Sequence, residues 1–324
     1  MAHPFVSELS EGDALSARFV ALDVQLRPFR DASKKGGYLA LNLGDRTGSV
    51  PARVWDSADV IAKGFREGDV IYVEGQVEVY RGSLQAILRS IEPIAEGDYD
   101  PADFLPASPH NPETMLAAAR RVVGDNLKSP YLRQLVDRYL ASDDITPRLI
   151  RCPAAKALHH AYLGGLIEHI VGCLYIAVNV CKVHKSLDSD LLFAGIVLHD
   201  IGKVLELEAT THIAYTVPGQ LVGHVVLGYE WVMREADAIE GFPEETKRQL
   251  GHIILSHHGQ HEYGAPVLPL TPEAVAVHFI ENTDAQANRA LSAVAVARDE
   301  GADFTAYDRT LGRSFYARQR DDRE

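Results

Sequence analysis

The spacing of apolar positions divides the chain into two parts with different periods. From Asp13 to Ile91, apolar residues alternate with polar ones or form short β-rich runs that are separated by glycine-containing turns. A short helix is predicted over Ser57–Arg66, between the third and fourth of these runs. The predicted strands are Ser16–Leu26, Tyr38–Leu43, Ser49–Trp55, Asp69–Tyr80 and Ser83–Ile91. This order predicts a five-stranded β-barrel over residues 1–92.

A proline-rich stretch separates the barrel from the rest of the chain. It holds five prolines with acidic residues between them, at Pro93, Pro101, Pro106, Pro109 and Pro112. Proline lacks the backbone donor and has a fixed φ, so this density prevents helix continuation and central strand pairing. We therefore predict a linker over residues 93–112.

After the linker, apolar residues recur at spacings of three and four, which is the period of amphipathic helices. The predicted helices are Pro112–Gly124, Ser129–Leu140, Ala154–Val183, Asp188–Leu205, Val222–Ile239, Pro243–His257 and Pro272–Val296. An all-α domain is thus predicted over residues 113–304, with a C-terminal tail over residues 305–324. Three roles stay open for the tail: docking on the helical domain, docking on another subunit of a homo-oligomer, or extending a substrate channel.

Composition is that of an ordinary globular protein, with 46% hydrophobic and 24% charged residues. No run reaches the roughly eighteen uninterrupted apolar residues of a membrane span, and the N-terminus has no signal-like apolar region. Cys152, Cys173 and Cys181 lack metal-type spacing. These features predict a cytoplasmic protein with free thiols and no membrane association.

The formal net charge of −13 argues against a broadly basic nucleic-acid binder. It does not exclude a nuclease, because bound divalent metals supply local positive charge. The carboxylates that hold such metals would also add to the acidic count.

The segment LHDIGK, Leu198–Lys203, places His199 and Asp200 side by side in an otherwise apolar helix. A charged aspartate in such a helix is costly unless it is paired or bound to a metal. For this dipeptide alone, a simple histidine–aspartate hydrogen bond at a helix end explains the pattern equally well, with Gly202 ending the helix.

Further histidines and an aspartate stand in separate apolar helices, at His169, His224, His257, His258 and Asp284. Taken singly, each histidine is better explained as a core or surface residue. Taken together, they predict a mixed nitrogen and oxygen site, because buried imidazoles need partners for both ring nitrogens. Such a site suits Mn, Fe, Co, Ni or Mg rather than thiolate-bound zinc.

The order H…HD…H…HH…D resembles the HD-domain superfamily of metal-dependent phosphohydrolases. The segments that carry this resemblance are Lys156–Ile170, Leu198–Lys203, Gly223–His224, Leu255–Gly259, Glu262–Pro266 and Asp284. The first part of the chain resembles OB-fold nucleic-acid-binding domains in its element order, especially over Tyr38–Trp55 and Gly75–Gln85. A barrel followed by an HD domain is similar to the YhaM family of 3′→5′ exoribonucleases.

This resemblance implies roles for the residues that match. His169, His199, Asp200 and Asp284 would form a four-ligand metal set. His224 and one of His257 or His258 would bind a second divalent ion, Mn being expected, with Asp200 bridging the two. Two ions roughly 3.5–4 Å apart clamp a phosphodiester and make hydroxide from a bound water, so nucleoside 5′-monophosphates would be released.

Neighbouring residues are assigned less directly. The resemblance implies that Lys203 reaches a phosphate oxygen, whereas a solvated lysine after a helix end is the alternative. If one helix spans residues 154–183, His160 and Tyr162 share a face with His169, so that either would contact the substrate or donate a supporting hydrogen bond.

On the barrel, aromatic and basic residues predict a surface for single strands. The residues predicted to bind the strand are Phe29, Lys34, Lys35 and Tyr38, in or near the loop between the first two strands. The alternative is that aromatics such as Trp55 fill the barrel interior.

Three functions are compatible with these features. The first is an exoribonuclease acting on single-stranded RNA, with single-stranded DNA as a further substrate. The second is an HD phosphodiesterase or nucleotidase that acts on a small nucleotide and uses the barrel for regulation. The third is a non-catalytic nucleic-acid-binding adaptor. This third function is disfavoured because every expected HD position keeps a histidine or aspartate.

Overall fold

The computed structural model describes residues 4–29, 36–80, 82–95, 97–100, 103–156 and 160–318. The chain forms two compact units. The first contains the described residues up to Ala107 together with Ala209–Ile213, and the second contains the rest. We describe each unit by itself.

The first unit is a closed five-stranded barrel with the strand order β1-β2-β3-β5-β4. Its elements are β1 (Ala14–Pro28), β2 (Gly37–Asp45), β3 (Gly48–Val54), α1 (Ala58–Ile61), β4 (Val70–Tyr80) and β5 (Ser83–Pro93). Neighbouring strands pair antiparallel except β3 and β5, which are parallel. Alternate residues such as Leu39, Leu41 and Leu43 fill the interior. The predicted OB-fold barrel is confirmed.

Part of the proline-rich stretch is folded onto the barrel. Phe104 is buried against Val20 and Val70, and its ring meets that of Tyr99 edge-on. The backbone of Arg46 also donates a hydrogen bond to the carbonyl of Asp103. The described residues of the proline-rich stretch that precede Ala107 therefore pack against the barrel instead of forming an extended spacer.

The second unit is helical, as predicted. Its helices are α2 (Pro112–Asn126), α3 (Pro130–Leu140), α4 (Ile145–Leu149), α5 (Gly165–Val183), α6 (Ser189–Leu198), α7 (Lys203–Glu206), α8 (Val217–Val222), α9 (His224–Asp237), α10 (Glu244–Ser256) and α11 (Pro272–Asp299). Helix α6 lies at the centre, where it contacts α2, α3, α5, α10 and α11. Each of its residues from Leu191 to Leu198 is buried, which explains its uninterrupted apolar sequence.

Two details of the chain after the proline-rich stretch differ from the prediction. Helix α5 begins at Gly165 and not at Ala154, because the chain turns at His160 and Gly164, which have φ values of 48° and 78°. Only glycine adopts the second value without strain. A two-stranded sheet of β6 (Leu207–Ala209) and β7 (Ile213–Tyr215) was also not predicted.

Helix α5 is long and apolar enough to cross a membrane by length and composition alone, with a mean hydropathy of 1.6. In this fold it packs against α2, α6 and α11. Its buried face includes Leu166, Ile170 and Leu174, and it also carries His169 into a polar cluster. Core packing therefore accounts for the apolar character of this face.

The described part of the C-terminal tail docks on α11. Arg289 forms an ion pair with Asp308, and the Arg298 Nε donates to the carbonyl of Ala317 at 2.7 Å. Ala317 is fully buried. Of the roles open for the tail, docking on the helical unit is therefore the one that residues 305–318 adopt.

Candidate metal centre

The second unit brings the predicted HD residues together from the ends of several helices. Several of them lie at or directly after helix ends: His199 and Asp200 follow α6, His224 begins α9, and His257 follows α10. The other positions are His169 on α5, Lys203 at the start of α7, His258 after His257, and Asp284 on α11.

Asp200 lies at the centre of this cluster and is 3% exposed. Its Oδ2 atom is 3.4 Å from the Nε2 of His199 and 3.9 Å from the Nε2 of His169. Its Oδ1 atom is 3.4 Å from the Nε2 atoms of both His224 and His257. One carboxylate therefore faces two different pairs of imidazoles.

In each of these rings Nε2 is the inner nitrogen, which faces Asp200, and Nδ1 is the outer nitrogen, which faces away from it. Hydrogen bonds at the outer nitrogens orient the rings. The Nδ1 atoms of His199 and His257 donate to backbone carbonyls of Ile196 and Ile254, at 2.8 and 2.7 Å. Since Nδ1 carries the proton, the Nε2 atom of the neutral His257 ring presents its lone pair to Asp200. Burial opposes protonation of His199, but Asp200 outweighs burial and raises the pKa of His199. Tautomers here are assigned from the hydrogen-bond partners.

The donor set fits a cation. Within the described part of the chain, Asp200 Oδ1 and His257 Nε2 are buried without a hydrogen-bond partner. Both are acceptors, and buried acceptors that face one another are costly unless a positive charge lies between them. Two further Nε2 pairs, His169 with His199 and His224 with His258, approach to 3.3 Å.

Three groups of side chains in the described residues are close enough to hold a metal ion, each with ligand atoms within 4.8 Å of one another. The first is His169, His199 and Asp200, and the second is Asp200, His224, His257 and His258. The third is His160, His169 and Asp284. Both His257 and His258 thus lie in the second group, and Asp200 belongs to two groups.

Asp284 lies on the outer side of His169 instead of beside Asp200. Its Oδ2 atom accepts from His169 Nδ1 at 2.7 Å and contacts His160 Nε2 at 3.1 Å. This approach requires a glycine on α5, because a Cβ atom at Gly172 would be 2.2 Å from Asp284 Oδ1. In this structure Asp284 therefore orients His169, and the predicted four-ligand set is divided between two groups.

Charges in the cluster are strongly coupled. Burial opposes ionisation of Asp200, but the adjacent Lys203 and His199 outweigh it and hold the pKa of Asp200 well below its usual value. Burial lowers the pKa of His257 to about 4 and that of His258 to about 2. These two imidazoles are therefore neutral at pH 7 and keep a lone pair for a cation.

Lys203 is buried, so the alternative of a solvated lysine is wrong. Its Nζ atom lies 2.6 Å from Asp200 Oδ2, and its exposed fraction is 7%. Burial favours the neutral amine, but Asp200 outweighs this and raises the pKa of Lys203. The contact that the structure gives to Lys203 is an ion pair with the central carboxylate.

His160 and Tyr162 reach the cluster from the turn before α5, not from the helix itself. His160 is 4% exposed, and its Nδ1 atom lies 2.9 Å from the Tyr162 hydroxyl. Its backbone amide donates to Asn288 Oδ1 at 3.3 Å. The predicted shared helix face with His169 is wrong, although the side chains do meet at Asp284.

Two carboxylates near the cluster were not predicted from the sequence. Glu206 Oε1 accepts from both the backbone amide and the Nδ1 of His224, at 2.9 and 3.0 Å. Burial raises the pKa of Glu281 to about 7, against the opposing effect of His199. Two features of the sequence could have indicated them: Glu206 stands beside buried leucines, and Glu281 lies one helical turn before Asp284.

On the barrel, three aromatic rings form a cluster. Tyr38 and Trp55 have ring centroids 4.8 Å apart, and Phe29 stacks with Trp55 at 6.4 Å. Trp55 is 44% exposed, so the alternative that it fills the barrel interior is wrong. The Arg53 guanidinium lies 5.8 Å from the Tyr38 ring. Lys34 and Lys35 lie outside the described residues.

Both units match known families. Residues 23–94 match a model described as an OB-fold nucleic acid binding domain, and residues 166–286 match the HD domain. The 3′-5′ exoribonuclease YhaM of Bacillus pumilus is 35% identical over 258 residues, which cover 79% of this chain and 81% of that protein. The protein of the same name from Halalkalibacterium halodurans is 32% identical over 307 residues, covering 94% and 93%.

The chain belongs to the YhaM family. Membership confirms the predicted family and the order of an OB-fold barrel followed by an HD domain. The HD match runs from before His169 to after Asp284, so the predicted HD residues from His169 to Asp284 lie within it, whereas His160 precedes it. The HD domain is metal-dependent, and this YhaM family chain has histidine and aspartate groups that are able to bind metal.

Proposed function

We propose that this chain is a metal-dependent 3′→5′ exoribonuclease that shortens single-stranded RNA and releases nucleoside 5′-monophosphates. The observation that carries the proposal is the position of Asp200, whose two oxygens face separate histidine groups. The proposal is supported by relatives that are 32% and 35% identical over most of the chain and bear the name 3′-5′ exoribonuclease.

Two divalent ions, Mn²⁺ in the first instance, are proposed as the cofactors. His169, His199 and Asp200 would hold one, and Asp200, His224, His257 and His258 would hold the other. When bound, such ions polarise a phosphodiester and an attacking water and offset the developing negative charge.

The chain's own residues keep this donor set in place. Lys203 fixes the Asp200 carboxylate through a 2.6 Å ion pair. Glu206 holds His224 with its Nε2 atom toward Asp200, and Asp284 does the same for His169. Because the outer nitrogens are already occupied, the inner nitrogens need no reorientation when substrate arrives.

The proposed reaction is hydrolysis of the last phosphodiester of the strand. A water oxygen forms a bond to phosphorus, and the bond from phosphorus to the 3′ oxygen of the preceding nucleotide breaks. That oxygen takes up a proton, so the shortened strand again ends in a hydroxyl and the terminal nucleotide leaves as a 5′-monophosphate. No residue needs to form a covalent intermediate.

For the barrel we propose binding of the single strand through base stacking on the aromatic cluster of Phe29, Tyr38 and Trp55. Aromatic faces bind successive bases with little sequence preference. Lys34 and Lys35 remain proposed contacts to the phosphates. Such binding would keep the substrate at the protein while nucleotides are removed one by one.

The products of a single-stranded RNA test this function. We expect an Mn²⁺-supplemented digest to release nucleoside 5′-monophosphates from the first time point, and a 5′-end label to remain on progressively shorter strands. An intact RNA together with hydrolysis of small nucleotide esters would instead favour a small-nucleotide phosphodiesterase. Binding of the RNA with no hydrolysis of either substrate would favour a non-catalytic adaptor.

A further inference from the structure

A cleft of about 510 Å³ lies next to the metal centre, between α2, α5 and α11. Polar side chains in its wall include His160, Glu168, Asp284 and Asn288. Asp284 is hydrogen-bonded to the outer nitrogen of His169, whose inner nitrogen faces the Asp200 cluster. The cleft is therefore one imidazole ring away from the position proposed for the reacting phosphate.

Glu168 is the unusual group in this wall. Its Oε1 atom lies 3.7 Å from His160 Nδ1, and its side chain is 18% exposed. Its Oε2 atom is buried and has no hydrogen-bond partner among the residues that the structure describes. The same carboxylate interacts with the Tyr162 hydroxyl, whose pKa is raised by burial, by the Glu168 charge and by a hydrogen bond to Glu168. A buried carboxylate oxygen is costly without a donor, so this position is suited to a donor that arrives with a ligand.

Other side chains that line the cleft are apolar. Met115, Val171 and Leu291 line it, together with the half-exposed ring of Tyr175. A volume of this size is within the range of pockets that bind small ligands. A ligand with a flat, partly apolar portion would pack against the apolar side chains, and a hydroxyl-bearing portion would hydrogen-bond to the polar ones.

We propose that this cleft binds the 3′-terminal ribonucleoside of the RNA, and that Glu168 accepts hydrogen bonds from its 2′- and 3′-hydroxyls. The proposal rests on the proposed exoribonuclease function. An ionised carboxylate only accepts hydrogen bonds, and a vicinal diol offers two donors to it. The base then lies against Tyr175 and the apolar wall, and the 5′ phosphate of the same nucleotide points toward the Asp200 cluster.

This arrangement predicts selection for the chemistry of the RNA end. A terminal 3′-phosphate replaces a donor with negative charge, which Glu168 and Asp284 both repel. A terminal 2′-deoxynucleotide keeps one of the two donors. The enzyme therefore prefers strands that end in a free diol.

Three RNAs that differ only at the last nucleotide test the proposal: a free diol, a 2′-deoxy end and a 3′-phosphate. We expect the wild type to remove the diol-ended nucleotide about 100-fold faster than the 3′-phosphate-ended one, with the deoxy end between them. Glu168→Gln removes the charge but keeps the shape. It should reduce the ratio of the rate on the diol-ended RNA to the rate on the 3′-phosphate-ended RNA by about tenfold. The exposed Glu245→Gln on α10 should leave it unchanged.

Each ratio is measured on one preparation, so it does not depend on the fraction of folded enzyme. Failure of the wild type to shorten any of the three RNAs would remove the proposed function itself. Shortening of the diol and 3′-phosphate ends at equal rates would leave that function intact and overturn the assignment of the cleft. A ratio that is the same in Glu168→Gln as in the wild type would also overturn it.

Discussion

At the scale of single residues, the centre depends on which nitrogen of each imidazole is already engaged. His199 and His257 use their Nδ1 atoms on helix-end carbonyls, and His224 uses its Nδ1 on Glu206. The Nε2 atom of His257 is then an acceptor that faces another acceptor, the Oδ1 atom of Asp200, at 3.4 Å. This arrangement is stable with a bound cation, and without one it depends on Lys203.

Replacing Glu206 by glutamine tests the orientation of His224. An amide no longer supplies the negative charge that makes His224 a stronger ligand, so we expect Mn²⁺ affinity to fall by about 10–100-fold. Titration calorimetry on the full chain measures the change. The exposed Glu208→Gln, two residues away, is the matched control, and an equal loss in both variants would contradict a specific role for Glu206.

Replacing Lys203 by methionine tests the buried ion pair. The change leaves the Asp200 charge without its cation, which should lower the free energy of unfolding by about 3–5 kcal/mol in metal-free protein. Added Mn²⁺ should recover part of this loss, because it supplies positive charge at the same carboxylate. Thermal unfolding with and without Mn²⁺ measures both effects.

Lys247→Met is the control for that experiment, because Lys247 pairs with Asp237 and Glu244 at the surface. Exposed pairs of this kind contribute little to stability, because solvent and salt screen the charges. An unfolding curve for Lys203→Met that coincides with that of Lys247→Met would show that the buried pair contributes little.

At the scale of elements, alternation and order predicted the barrel because each strand exposes one face, and a period of two therefore appears in the sequence. The predicted helix over residues 154–183 is too long, because the apolar spacing continues through the turn before α5. The structure shows this turn by the positive φ values of His160 and Gly164. The sheet of β6 and β7 has three residues in each strand, which is too short for a periodic signal.

The sequence could predict which residues gather around Asp200, because His169, His199, His224 and His257 stand in the order of the HD motif along the chain. Glu206 and Glu168 could not be predicted, because their roles come from contacts between elements that are distant in sequence or follow a turn. The same holds for Asp284, whose place on the outer side of His169 depends on the missing side chain at Gly172.

The aromatic cluster of the barrel gives a prediction at this scale. Replacing Trp55 by alanine removes one stacking surface, so binding of single-stranded RNA should weaken by roughly 1–3 kcal/mol. Hydrolysis of a small phosphodiester should be unchanged, because Trp55 belongs to the other unit. Val60→Ala, which truncates an exposed apolar side chain of the barrel, is the control.

Fluorescence anisotropy with a labelled RNA measures that affinity, beside a rate assay on a small phosphodiester. Loss of both RNA binding and small-substrate hydrolysis in Trp55→Ala would indicate a folding defect. Unchanged RNA binding would contradict a stacking role for the cluster.

At the scale of the whole molecule, the two units divide the work of an exonuclease. The barrel carries an aromatic cluster that we propose as a stacking surface for a strand, and the helical unit holds a buried group of side chains able to bind metal, with a cleft beside it. The acidic net charge of −13 is compatible with this division, because bound cations offset the carboxylates where a phosphate docks.

The most direct test of the account is a digest of 5′-labelled single-stranded RNA by wild type and Asp200→Asn over a range of Mn²⁺ concentrations. Asparagine keeps the shape of Asp200 but removes the charge that faces both histidine groups. We expect a ladder that shortens from the 3′ end with the wild type and no ladder with the variant at any Mn²⁺ concentration. A variant that still produces the ladder at wild-type rates would contradict the central role of Asp200.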